Sequence, residues 1–175
     1  MQKRTIIIYS SVDGQTKKIC QFIKEVLTDN NHYADLFSIS NFKEEFKSYD
    51  KIVIASSVRY GKHNEEIEKF IGENYEFLNS KKAAFISVNL VARKTEKNTA
   101  ETNPYVIKFL NSIEWKPYKV AVFAGTLNYK LYTLKDRILI KLIMLMTKGP
   151  TSSKAVLEYT DWNKVEEFAE EFVRI

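Results

Sequence analysis

Short apolar or β-branched runs alternate along this chain with longer stretches of helical period. Thr5 to Tyr9, Lys51 to Ala55, Ala83 to Val88 and Lys119 to Ala124 predict strands, and Tyr33 to Phe37 predicts a weaker one. Between the runs, Ile19, Phe22, Ile23, Val26 and Leu27 keep the i, i+3, i+4, i+7, i+8 spacing of one buried helix stripe, and Ile67, Phe70, Ile71 and Leu78 mark another. A helix is expected from about Asn103 and Pro104, because proline is tolerated in a first helical turn. Trp162, Val165, Phe168, Ala169 and Phe172 predict a docked last helix with Asp161 as its N-cap. Five β-α units of this kind predict an α/β fold, a doubly wound five-stranded parallel sheet.

One segment is surplus to that pattern, from Thr126 to Glu158. Within it, Leu131 to Lys148 reads as a basic amphipathic helix, too polar to span a bilayer. At the helical repeat, Arg137, Lys141 and Lys148 project within about 40° of one another and leave a broad arc of leucine, isoleucine and methionine. Such a helix lies at a membrane surface and attracts anionic lipid. The competing reading is a helix packed on the sheet edge or at a dimer contact.

A chain of 175 residues with 45% apolar content suffices for one substantial core, so residues 1–175 are expected to form a single domain with 126–158 as an insert. The net charge of +5 suits an acidic partner: nucleic acid, anionic lipid or a carboxylated substrate. Nucleic acid is set aside, since no recognised motif accompanies the charge and no aromatic platform is interleaved with the basic residues. One cysteine and two histidines argue against a disulfide and against a zinc site, and a reducing, cytosolic setting fits. The first residues carry too short an apolar stretch for a secretory signal, so export by that route is not expected. Cys20 falls beside the first helix stripe and reads as packing, while His63 reads as a solvated or capping residue outside the site.

Candidate chemistry gathers in three loops. Directly after the first strand come Ser11, Val12, Asp13, Gly14, Gln15 and Thr16, with a helix immediately behind them. The free amides and positive dipole end of that helix favour a phosphate by about 0.3–1 kcal/mol for the dipole. The hydroxyls of Ser11 and Thr16 can add hydrogen bonds, and Gly14 lets the backbone approach a ligand closely. The loop has neither the lysine of a Walker A motif nor the G-x-G-x-x-G of a dinucleotide fold. A carboxylate facing phosphate would be repelled, so Asp13 is expected to turn to the helix amides as a cap. In an open parallel sheet the segments after strands three and four should meet this loop. They read Ser57, Val58, Arg59, Tyr60, Gly61 and Ser87, Val88, Asn89, Leu90, Val91, Ala92, Arg93, Lys94.

The first loop is similar to the S/T-x-T-G-x-T phosphate loop of flavodoxins. The three loops together resemble the flavodoxin-like, FMN-containing protoporphyrinogen oxidase family, through Asp13 to Thr16, Arg59 to Gly61, Ser87 to Lys94, Lys108 to Leu110, Ile140 to Met144 and Tyr159 to Trp162. The resemblance spans nearly the whole chain, and Ser87 to Lys94 carries most of it. It implies strand order 2-1-3-4-5 and FMN held by the three loops. It further implies oxidation of protoporphyrinogen IX by hydride transfer to the flavin, a quinone (menaquinone or ubiquinone) as acceptor, a role in haem biosynthesis, and a cytoplasmic protein peripheral on the inner face of the cell membrane. Arg93 and Lys94 are then candidates to stabilise an anionic reduced flavin, and Arg59 or Lys62 to pair with substrate propionates. Oligomeric state, a homo-oligomer included, stays open. Flavodoxins often sandwich the ring between aromatics, yet only Tyr60 is aromatic in these loops, so one ring face is expected to be open to substrate. The rival function is an electron carrier without a substrate, although carriers are usually acidic. A phosphoacceptor domain would need carboxylates where Ser10 and Ser56 stand.

Overall fold

A computed structural model describes residues 3–146, 149–152 and 156–175. In chain order the elements are β1 (Arg4–Ser10), α1 (Gln15–Asp29), β2 (Tyr33–Ser38), β3 (Lys51–Ser57), α2 (Glu65–Asn79), β4 (Lys82–Val88), α3 (Pro104–Ser112), β5 (Lys119–Phe123), β6 (Thr126–Asn128), α4 (Leu134–Met146), β7 (Val156–Glu158) and α5 (Trp162–Arg174). Strands β1 to β5 form one parallel sheet in the order β2-β1-β3-β4-β5, as expected.

The strands read as continuous apolar runs because both sheet faces are covered. Successive side chains alternate between faces, so Ile7, Tyr9, Val53, Ala55 and Ile86 join α1 and α5 in one core, while Ile6, Ile8, Ile52, Ile54 and Phe85 pack with α2 and α3 in the other. Cys20 is sealed in the first core, and burial pushes its thiol well above its ordinary value. Helix starts follow the capping chemistry: Asn64, Asn103 and Asp161 each accept backbone N–H bonds in the first turn of α2, α3 and α5. Lys51 is buried at the base of β3, where its ammonium donates to the carbonyls of Phe172 and Val173 at the end of α5.

The surplus segment departs from the expectation in two ways. It contains an antiparallel pair, β6 with β7, that no sequence pattern announced. Its helix begins at Leu134 rather than Leu131, because Tyr129–Leu131 is a separate 3-10 turn; Thr147 and Lys148, at the end of the expected helix, lie outside the described residues. The basic arc is on the outside, with Arg137 and Lys141 exposed. The apolar arc is largely outside as well: Leu134, Ile138, Leu142, Leu145 and Met146 are each more than half exposed, while Asp136 and Met144 are buried and Ile140 half-buried along one narrow stripe. No described helix is long and apolar enough to cross a membrane.

Candidate functional site

Three strand ends meet at one level. Ser10 of β1 pairs with Ser56 of β3, and Ser56 pairs with Ser87 of β4. The loops that follow therefore leave the sheet together at its carboxyl edge, where open parallel sheets bind ligands.

The loop after β1 ends in Gly14, the N-cap of α1, with φ of 87° in the left-handed region. A Cβ there would meet nothing within 4 Å, so the backbone angle, not crowding, requires glycine. The same angle corrects the expectation for Asp13. The helix start is carried past it, no side chain caps α1, and the Asp13 carboxylate instead accepts from Arg59 Nη2 at 3.2 Å. Burial raises the Asp13 carboxyl above its ordinary value, against the pull of Arg59. Arg59 also lies 4.0 Å from Asp136 on α4 and stacks its guanidinium over the Tyr132 ring at 5.1 Å.

A narrow trough runs from this loop between the ends of β3, β4 and β5. Ser11, Asp13, Gln15, Thr16, Ser57 and Arg59 line it together with Val88, Asn89, Gly125, Thr126 and Tyr132. The hydroxyls of Ser11, Ser57 and Thr126 are all buried here without a hydrogen-bond partner. An unsatisfied buried hydroxyl costs about 1–3 kcal/mol, so three in one trough indicate groups held ready for a polar ligand. Uncapped helix amides at one end and orphan hydroxyls along the walls fit the phosphate and polyol of a flavin mononucleotide. Among the described residues no cluster of metal-ligating side chains occurs.

The trough opens into a wider slot of about 410 Å³, with Val58, Arg59, Asn89 and Leu90 common to both. Its size and apolar lining match the usual small-molecule pocket. One wall is the turn at Tyr60 and Gly61. Their φ values are 50° and 75°, and Arg59 and Lys62 exchange backbone hydrogen bonds of 2.8 and 3.0 Å across it, the geometry of a type I′ turn. Leu90, Val91 and Arg93 form the facing wall from a 3-10 turn over Leu90–Arg93, where Arg93 Nη1 donates to the Leu90 carbonyl at 2.9 Å. Helix α4 lays Leu139, Ile140, Ile143 and Met144 along the slot, and α3 adds a second aromatic, Tyr105. Helix α4 thus forms part of the slot wall together with the loops after β3 and β4.

Beneath the loops lies a buried polar chain. His63 Nε2 lies 2.8 Å from Ser87 Oγ, Asn89 donates to the same hydroxyl at 3.0 Å, and Asn103 donates to Asn89 at 3.1 Å. This overturns the reading of His63 as solvated: it is buried against the rings of Phe85 and Phe109, and burial drives its pKa down to about 4. Ser87 and Ala92, expected at the cofactor, are buried and line neither trough nor slot. Val12 is exposed beside an outer cleft, and Lys94 lines neither cavity. Sequence reasoning missed Thr126, Tyr132, Tyr105 and Asp136. The order 2-1-3-4-5 places the loop after β5 beside that after β4, a signal for Thr126 that was available.

Residues 6–154 match the family model described as a flavodoxin domain. The protoporphyrinogen IX dehydrogenase (quinone) of Escherichia coli K12 is 40% identical over 173 residues, covering 98% of this chain and 96% of that protein. The protein of the same name from Leishmania major is 38% identical over 174 residues, covering 98% of this chain and 75% of its own length. Among solved structures, oxidised flavodoxin 2 from Bacillus cereus superposes with a TM-score of 0.56 at 20% identity over 98% of both chains, a likeness of fold alone.

Proposed function

Since the chain belongs to the flavodoxin-domain family and, within it, to the protoporphyrinogen IX dehydrogenases, we propose that it binds FMN and oxidises protoporphyrinogen IX to protoporphyrin IX in haem biosynthesis, with menaquinone or ubiquinone as acceptor. When bound, FMN supplies the two-electron acceptor that no side chain can provide. The chain's own residues bind, orient and screen. Supporting this most directly are the orphan hydroxyls of Ser11, Ser57 and Thr126 in a trough that begins at an uncapped helix start.

In this reading the α1 amides with Ser11 and Thr16 hold the phosphate, Ser57 and Thr126 hold the polyol, and Tyr60, Gly61, Leu90 and Val91 flank the ring. Arg93 offsets negative charge on the reduced cofactor, and Arg59 balances the phosphate against Asp13. Lys94, lining neither cavity, serves the approach of an acidic substrate. The exposed apolar arc of α4, flanked by Arg137 and Lys141, lies on an anionic membrane surface and brings the slot near a lipid-soluble quinone. In this reading the protein works at the cytoplasmic face of the membrane, and residues 126–158 are an insert in one domain.

Two measurements test the reading. Titration with FMN should quench flavin fluorescence far more strongly than titration with riboflavin, which lacks the phosphate. Anaerobic mixing of the FMN-loaded protein with protoporphyrinogen should bleach the flavin, and a quinone should restore its colour. Flavin that stays oxidised with porphyrinogen, yet exchanges electrons rapidly with a reductase, selects the carrier instead.

A further inference from the structure

The insert helix is held to the body by very little apolar surface, yet one of its inward residues is a carboxylate. Asp136 is buried at 6% exposure in the first turn of α4 and forms part of the slot wall. Its Oδ1 accepts from the Tyr60 hydroxyl, its Oδ2 accepts from Thr133 Oγ1 at 2.8 Å, and the Arg59 guanidinium stands 4.0 Å away. These bonds hold the Asp136 carboxyl below its ordinary value, the Tyr60 bond foremost. Tyr60 is otherwise poorly supported: its side chain is 69% exposed and its backbone sits at a φ of 50° that non-glycine residues rarely adopt. The bond thus ties the exposed Tyr60 ring to a buried anchor on α4.

We propose that Asp136 is a positioning residue that fastens α4 across the slot through the Tyr60 hydroxyl, so that one bond fixes both the height of the insert helix and the pose of the Tyr60 ring. The fastening of α4 stands on these contacts alone; the consequence for a bound ring rests on the slot being the flavin cavity. The Asp136 amide N–H also donates to Thr133 Oγ1 at 3.3 Å, so a purely local role in starting the helix is the competing account. Tyr60→Phe separates the two, since it keeps the aromatic ring and the helix start and removes only the bond between elements.

Trypsin digestion of the whole cofactor-free protein reads the fastening directly, because Lys135, Arg137 and Lys141 all lie exposed on α4. Tyr60→Phe and Asp136→Asn should each speed cleavage within α4 roughly tenfold, the share of one hydrogen bond to a charged group, and the double variant should cleave no faster than Asp136→Asn. With FMN added, both single variants should alter the visible circular dichroism of the flavin in the same sense. Cleavage of Tyr60→Phe at the wild-type rate, with Asp136→Asn accelerated, overturns the proposal and leaves Asp136 a helix-start residue. Failure of the wild-type protein to bind FMN would instead sink the cofactor reading while the digestion result stood.

Discussion

The helices of the sheet body and the helix of the insert treat apolar surface in opposite ways. Helix α1 buries Ile19, Cys20, Ile23 and Leu27, whereas α4 buries only Met144 among its apolar residues and leaves Leu134, Leu142, Leu145 and Met146 more than half exposed. Position in the body is therefore set by non-directional burial, worth about 1.5–3 kcal/mol for each large side chain. Position in the insert is set by a short stripe and a few directional bonds. The body holds three strand ends at one height, and the insert leaves most of its apolar arc exposed.

Truncation in the body should produce the largest effect. Phe85 is fully buried and stacks on Phe109 at 4.7 Å, so Phe85→Ala should lower unfolding free energy by about 3–5 kcal/mol in chemical denaturation. A loss near that of a surface substitution would show that the body, too, is held by something other than burial.

Acidification should act on the body at nearly the same scale. The folded His63 value of about 4 lies below the ordinary 6.5, so on lowering the pH the unfolded chain takes up a proton first. Stability is therefore fully present above the ordinary histidine value and falls through the window from 6.5 to about 4, by on the order of 3 kcal/mol. Replacing His63 with Gln should flatten that part of the stability–pH curve, and an unchanged slope would remove the histidine from the account.

The trough sits between the two regimes, since its orphan hydroxyls cost the fold and, in the proposed function, are repaid by the ligand. Ser57→Ala and Thr126→Val should each weaken FMN binding about three- to tenfold while leaving the cofactor-free protein as stable as before or slightly more so. Calorimetric titration and thermal unfolding measure the two halves separately. Equal losses of affinity and stability would mark these hydroxyls as structural.

Smallest of all should be the stability effect of Leu142→Ser on α4, within about 0.5 kcal/mol, because Leu142 is 53% exposed. Co-sedimentation with anionic vesicles should fall nonetheless. A large stability loss would mean that the insert is packed as the body is.

The same contrast explains what the sequence made legible. Body strands were readable because burial on both faces writes itself as unbroken apolar runs, and α1 and α5 because burial on one face writes a stripe. The strand, glycine turn and helix start at Arg4 to Asp29 were readable because they follow one another directly in sequence. Asp13 was misread because a single backbone angle at Gly14 redirects it to a partner 46 residues away. His63 was misread because its apolar neighbours, Phe85 and Phe109, come from β4 and α3 and leave no mark beside it in the chain. In α4 the helical period showed that a stripe exists but not which side faces inward, and the inward side proved to hold a carboxylate.

Cys20, the one sulfhydryl in the chain, is walled in by α1, the sheet and α5, with its proton held tightly. Peroxide in the surroundings would meet no accessible thiolate able to attack it while the fold is intact. Alkylation of that sulfur consequently becomes a clock for whole-body opening: a reagent in excess labels each molecule only when α1 lifts from the sheet, and the labelling half-time counts those excursions without any engineered probe.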